Sequence, residues 1–179
     1  MNVGTLDLVP IYLADRDEWL HPLAEALERA FPVAVRIRPP WFDPEKSFDP
    51  SRGQYNSTRL LELLLDHGGD GAWKILGVTS VDLFIPVLTY VFGEAQLDGT
   101  AAVVSTHRLG TEAYGLEPDE ALSRDRLVKE AVHELGHTFG LVHCPDAGCV
   151  MHASTYVEEI DLKSATFCPA CVRSVRAAS

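Results

Sequence analysis

His133-Glu134-Leu135-Gly136-His137-Thr138-Phe139-Gly140-Leu141-Val142-His143 spells H-E-x-x-H-x-x-G-x-x-H. On a helix, His133 and His137 stand one turn apart and point the same way, so their imidazoles can converge on one metal ion. Glu134 lies about 100° further round the helix from His133, close to the metal without being a ligand. Gly140 permits the left-handed backbone that ends a helix and turns the chain back. That return brings in His143 as a third ligand. Three protein nitrogens leave a fourth zinc position for water, which marks a catalytic rather than a structural site.

The flanking residues supply the context such a motif needs. Ser123 can cap a helix and Asp125 suits its first turn, while Leu127, Val128, Ala131, Val132 and Leu135 form an apolar face. Downstream, Met151 is the only methionine besides Met1. Cys144 directly follows His143, and Cys149, Cys168 and Cys171 complete the pattern H-C-x4-C-x-M…C-x-x-C.

This arrangement resembles the archaemetzincins, a branch of the metzincin zinc metallopeptidases. The likeness is carried by residues 123–171, with a weaker echo at Arg52-Gly53-Gln54-Tyr55. It implies a single metallopeptidase domain over residues 1–179. Residues 1–140 would form an upper sheet-and-helix subdomain, and residues 141–179 an irregular lower one, with the cleft between them. It also implies that Met151 forms an apolar floor beneath the zinc, and that an extended peptide pairs with an edge strand near Phe92-Gly93-Glu94-Ala95. Some metzincins place a tyrosine two residues after this methionine as an extra ligand; here the position holds Ala153.

Three fates are open to the four cysteines: two disulfides, four inert thiols, or one metal site. Met1 to Asp7 lacks the basic segment and apolar run of a signal peptide, so a cytoplasmic, reducing setting is expected, where stable disulfides are rare. The C-x4-C and C-x2-C spacings suit a tetrahedral thiolate zinc site with no cysteine left over. Two zinc ions per chain are therefore expected, one held by His133, His137 and His143 and one by Cys144, Cys149, Cys168 and Cys171. The step from His143 to Cys144 ties the two sites together.

At 179 residues with a formal charge of −11, the chain fits one domain, and its acidity argues against nucleic acid or anionic membrane as a partner. The longest mainly apolar run, residues 83–92, is too short to span a bilayer. A monomer acting on peptide or protein is expected.

Strands are expected at residues 6–13, 33–38, 75–82, 88–92 and 101–106. Helices are expected at 17–30, 57–67, over the histidine motif and after Cys171, and a long functional loop at 39–54. Strands alternating with helices imply an α+β fold with a mixed, twisted sheet. The expected chemistry is amide hydrolysis, with Glu134 as general base toward a zinc-bound water. Alternatives are a gluzincin-type site using Glu158 or Glu159, a zinc endoribonuclease sharing the histidine spacing, and a zinc-stabilised peptide-binding module without turnover. His21, His67, His107 and His152 have no partners at ligand spacing and read as surface or capping residues.

Overall fold

The computed structural model describes residues 4–13, 16–66 and 71–177. In chain order the strands are β1 Gly4–Ile11, β2 Val33–Ile37, β3 Phe48–Asp49, β4 Gln54–Asn56, β5 Lys74–Thr79, β6 Leu83–Phe84, β7 Gly93–Ala95 and β8 Ala101–Ser105. The helices are α1 Leu20–Ala30, α2 Ser57–Leu65, α3 Glu120–Thr138, α4 Val157–Leu162 and α5 Pro169–Ala177.

The main sheet has the order β2-β1-β5-β8-β7, parallel except for the antiparallel edge strand β7. β5 is buried at every position, as expected of a central parallel strand covered on both faces. Alternation along β1 divides the core. Leu6 and Leu8 pack with α1 and α3, whereas Val9 and Ile11 pack with Leu60, Leu61 and Leu64 of α2. The expected mixed sheet with helices on its faces is the fold adopted.

Several local expectations are corrected. Residues 88–92 do not form a strand; only Val91 makes a bridge, to Leu83, and the edge strand is Gly93–Ala95. Pro86 lacks an N–H, and the carbonyls of Leu88 and Thr89 are taken by side chains instead of a neighbouring strand. The long loop at 39–54 contains a one-turn 3-10 helix, Pro44–Ser47, and strand β3, which pairs antiparallel with β4. α3 is capped by Asp119, whose carboxylate accepts from Leu122 N at 2.9 Å. Ser123 instead lies buried within the helix and donates to Asp119 O at 2.7 Å. α5 begins at Pro169, so Cys171 sits in its first turn rather than before it. His67, the expected end of α2, lies outside the described residues.

The C-terminus of α3 is fastened to the sheet by Lys74. Its ammonium donates to Thr138 O at 2.7 Å and to the turn at Gly99 O at 2.6 Å. A cation here satisfies an orphan helix carbonyl and meets the negative end of the helix dipole. Burial holds this amine below its ordinary pKa. Replacing Lys74 by Met is expected to lower stability by about 2 kcal/mol, the usual cost of losing hydrogen bonds from a charged group. Urea unfolding checks this, with Lys46→Met at an exposed position expected to change little.

Candidate metal centres and cleft

α3 is buried for most of its length but carries a polar stripe made of Glu130, His133, Glu134 and His137. Each imidazole is oriented by a carbonyl from the chain that returns beneath the helix. His133 Nδ1 lies 2.8 Å from Val150 O, and His137 Nδ1 lies 2.7 Å from Leu141 O. Nδ1 therefore carries the proton in both rings and Nε2 is left as a lone-pair donor. Gly140, at φ +82, makes the turn that starts the return, with Leu141 N donating to Gly136 O at 3.2 Å.

The two Nε2 atoms stand 3.1 Å apart, and the His143 ring joins them, its centroid 5.3 and 5.1 Å from those of His133 and His137. Two bare lone pairs this close repel one another and favour a cation between them. A tetrahedral zinc with Zn–N bonds of about 2.0–2.1 Å separates its nitrogens by roughly 3.3 Å, so this donor set fits. Burial, then the Lys163 charge, pulls His133 down to about 3, and burial also lowers His137. Both rings are thus neutral, as metal ligation requires.

Glu134 is almost fully buried against β7. A Cβ at Gly93 would lie 2.6 Å from Glu134 Cγ and 2.6 Å from Val103 O, so only glycine permits this approach of strand to helix. Burial, followed by the nearby Glu130 charge, raises the Glu134 carboxyl well above the usual carboxylate range in the metal-free protein. A cation among the histidines would favour its ionised form. Behind it, Lys163 Nζ and Glu130 Oε1 form a buried ion pair at 2.8 Å. The same ammonium lies 3.2 Å from His152 O and 3.5 Å from His133 Nδ1.

A second donor cluster follows at once. Cys144, Cys149, Cys168 and Cys171 bring their sulfurs together, all within 4.8 Å of one another, with Cys144 and Cys168 3.8 Å apart. Tetrahedral zinc at about 2.3 Å from each sulfur gives S···S edges of about 3.8 Å, and a disulfide requires about 2.05 Å. The Cys171 amide facing its sulfur brings the Cys168 thiol down to about 7, while burial pushes Cys171 up. The two clusters are knitted together: Cys144 N donates to Met151 O at 2.9 Å, and His152 Nδ1 lies 2.9 Å from Cys144 O.

A cleft of about 750 Å³ runs over the histidines between β7 and the segment after Met151. Leu88, Leu97, Val142 and Tyr156 are exposed along it. Bonds from Ser105 N to Phe92 O and from Gln96 N to Ala101 O, with Glu94 opposite Val103, set the ladder phase. The backbone groups of Gly93 and Ala95 therefore face away from β8, toward the cleft. Glu94 points to the opposite face and accepts from Ser57 and Thr58 at the start of α2.

The model of peptidase family M54 matches residues 35–177. The chain belongs to peptidase family M54. It is 48% identical over 128 residues to the archaemetzincin of Methanopyrus kandleri, covering 72% of this chain and 69% of that one. The crystal structure of archaemetzincin from the same organism superposes with a TM-score of 0.84 at 37% identity, over 98% of this chain and 94% of that chain. A zinc-dependent peptidase from Methanocorpusculum labreanum superposes with a TM-score of 0.83 at 32% identity, over 95% and 99% of the two chains. As an M54 member the chain is a zinc-dependent metallopeptidase, and the family match favours neither the endoribonuclease nor the non-hydrolytic binding reading.

Of the residues singled out from sequence, the structure brings together the three histidines and Glu134, gathers the four cysteines, and sets Met151 directly beneath Gly136. A Cβ at Gly136 would lie 2.6 Å from the Met151 sulfur. Glu159 caps α4 by accepting from Tyr156 N at 3.0 Å and is not grouped with the histidines. Sequence reading missed Glu130, Lys163, Gly136 and His152. Gly136, a costly residue inside a helix, was the signal available for a close packing contact.

His133 supplies a pH test on metal-stripped protein. Its folded pKa lies below its unfolded value, so between about 6.5 and 3 the unfolded chain binds the extra proton and stability falls with pH. His133→Gln removes that contribution. The stability advantage of the parent over the variant is expected to shrink as pH drops from about 7 to 4, by at most about 1.4 kcal/mol per unit. Parallel urea-unfolding profiles would contradict this.

Proposed function

We propose that this zinc peptidase cleaves peptide bonds at the His133–His137–His143 centre with Glu134 as general base. The geometry that carries the reading is a buried carboxylate beside three converging imidazoles, two of them meeting through Nε2, at a cleft along the edge strand β7. Zinc held there would acidify water and polarise the scissile carbonyl. Glu134 accepts a proton from the attacking water and later delivers it to the departing amine. Gly93 and Ala95 offer outward N–H and C=O groups to an extended substrate, with Phe92 and Glu94 fixing the strand that presents them.

Cys144, Cys149, Cys168 and Cys171 hold a second, structural zinc, giving two per chain. Because Cys144 adjoins His143, that zinc keeps the third histidine in register. Gly140 provides the turn between the two ligand sets, and Met151 fills the space beneath the histidines. In this reading residues 1–179 form one metallopeptidase domain, with residues 1–140 above the cleft and 141–179 below it. No helix among the described residues is long and apolar enough to cross a membrane. The four converging cysteines, whose spacing suits zinc thiolates, support a reducing, cytoplasmic setting. The formal charge of −11 supports a protein that works as a monomer on peptides rather than on nucleic acid.

Glu134→Gln is expected to reduce hydrolysis of a peptide pool by about 10²–10⁴-fold with metal content unchanged. Unchanged turnover would remove Glu134 from the mechanism. Elemental analysis is expected to give two zinc ions per chain, the thiolate-bound one being the slower to chelate. Replacing Cys168 by Ser should lose that ion and lower the affinity of the histidine site with it.

A further inference from the structure

The Arg52-Gly53-Gln54-Tyr55 stretch lies far from the histidine motif in sequence and supplies none of the candidate ligands. The Arg52 and Gln54 side chains nevertheless reach the cleft wall. The wall segment, residues 85–91, is closed at its base by the Leu83–Val91 bridge and by Val91 N donating to Leu83 O at 3.0 Å. At its tip no strand pairs with it. Arg52 Nη2 donates to Leu88 O at 3.0 Å and to Thr89 O at 3.2 Å, and Gln54 Nε2 donates to the same Thr89 carbonyl at 3.0 Å. Leu88, Thr89 and Tyr90 then line the cleft on their other side.

These donors are held in turn. Arg52 Nε donates to Gln54 Oε1 at 3.0 Å, which fixes the amide so that its NH2 group faces Thr89 O and Asp82 Oδ2, the latter at 2.9 Å. Asp82 takes a two-pronged contact from Arg108, at 2.9 and 2.6 Å. Arg108 itself lies over the Tyr90 ring, 4.8 Å from its centroid. Burial works against the Asp82 charge, but Arg108 and Gln54 outweigh it and keep the carboxyl below its usual range. The guanidinium of Arg52 also stacks 4.1 Å above Phe84, at the foot of the same segment. Arg52, Gln54, Asp82 and Arg108 thus form one connected network that grips the wall from behind.

We propose that Arg52 and Gln54 are positioning residues for the substrate cleft. By capping the Leu88 and Thr89 carbonyls, they fix the Leu88–Tyr90 wall against which a peptide paired to β7 is held. The proposal rests on the peptidase reading of the cleft. The chemistry is specific to these side chains. Lysine lacks the fork that meets two successive carbonyls and Gln54 together. Glutamate at 54 loses the donor to Thr89 O and sets a like charge against Asp82.

The test uses zinc-loaded full-length protein carrying Arg52→Lys or Gln54→Glu, with Arg59→Lys at an exposed position of α2 as control. Amide hydrogen exchange over residues 85–91, where Leu88 N bonds to Ile85 O and Val91 N to Leu83 O, is expected to speed up by about tenfold, with α3 unaffected. On the internally quenched octapeptide the parent cleaves best from a mixed pool, KM is expected to rise about tenfold with kcat within about twofold. Zinc content should stay constant. Unchanged exchange in 85–91 would overturn the proposal, as would faster exchange with unaltered KM, or a fall in kcat alone. The exchange measurement needs no turnover. A parent protein that cleaves no peptide in the pool would therefore refute the peptidase reading separately, while exchange still decides whether Arg52 holds the wall.

Discussion

A buried helix that carries Glu130, His133 and His137 on one stripe depends on partners for those groups, because an unpaired polar group away from water costs more than most contacts return. In α3 the partners come from chain that lies after the helix. Val150 O and Leu141 O orient the imidazoles, and Lys163 pairs with Glu130. The region beyond Gly140 is therefore no appendage. It orients both imidazoles and supplies the countercharge to Glu130, and the four cysteines that gather it lie in the same stretch. Folding of the lower region and readiness of the histidines are one requirement seen from two sides.

How far this could be read from the sequence depended on the span of the interaction concerned. The convergence of His133, His137 and His143 follows from helix geometry and a single glycine turn, all within eleven residues, and the four cysteines announce themselves by spacing. The central strands were equally legible, since Ile75 to Thr79 form a continuous buried stretch. Lys163 was not, because it meets Glu130 across 33 residues of chain through a turn with no periodic signal. Residues 88–92 misled because their β-branched and aromatic side chains favour a strand, whereas the Leu88 and Thr89 carbonyls are captured by Arg52 and Gln54, remote in sequence. Nothing in the sequence around Gly93 signals that Glu134 fills the space where a side chain would be; the contact appears only in the packed structure.

The junction at His143 and Cys144 sharpens the same point. Consecutive residues face different donor clusters, and Cys144 is bonded through both its backbone groups, by its amide to Met151 O and by its carbonyl to His152 Nδ1. Displacement of either cluster is transmitted over a single peptide bond, so the two cannot vary independently.

The shortness of β7 carries a consequence of another kind. An open sheet edge invites other strands, and long flat edges are where proteins stick to copies of themselves. Here one edge is β2, where Arg36 and the following Arg38 reach in to the buried Asp7 carboxylate. The other is three residues long, with Glu94 turned back to Ser57 and Thr58. Such an edge offers enough backbone to receive a few residues of one extended chain and too little to seed sheet-to-sheet stacking.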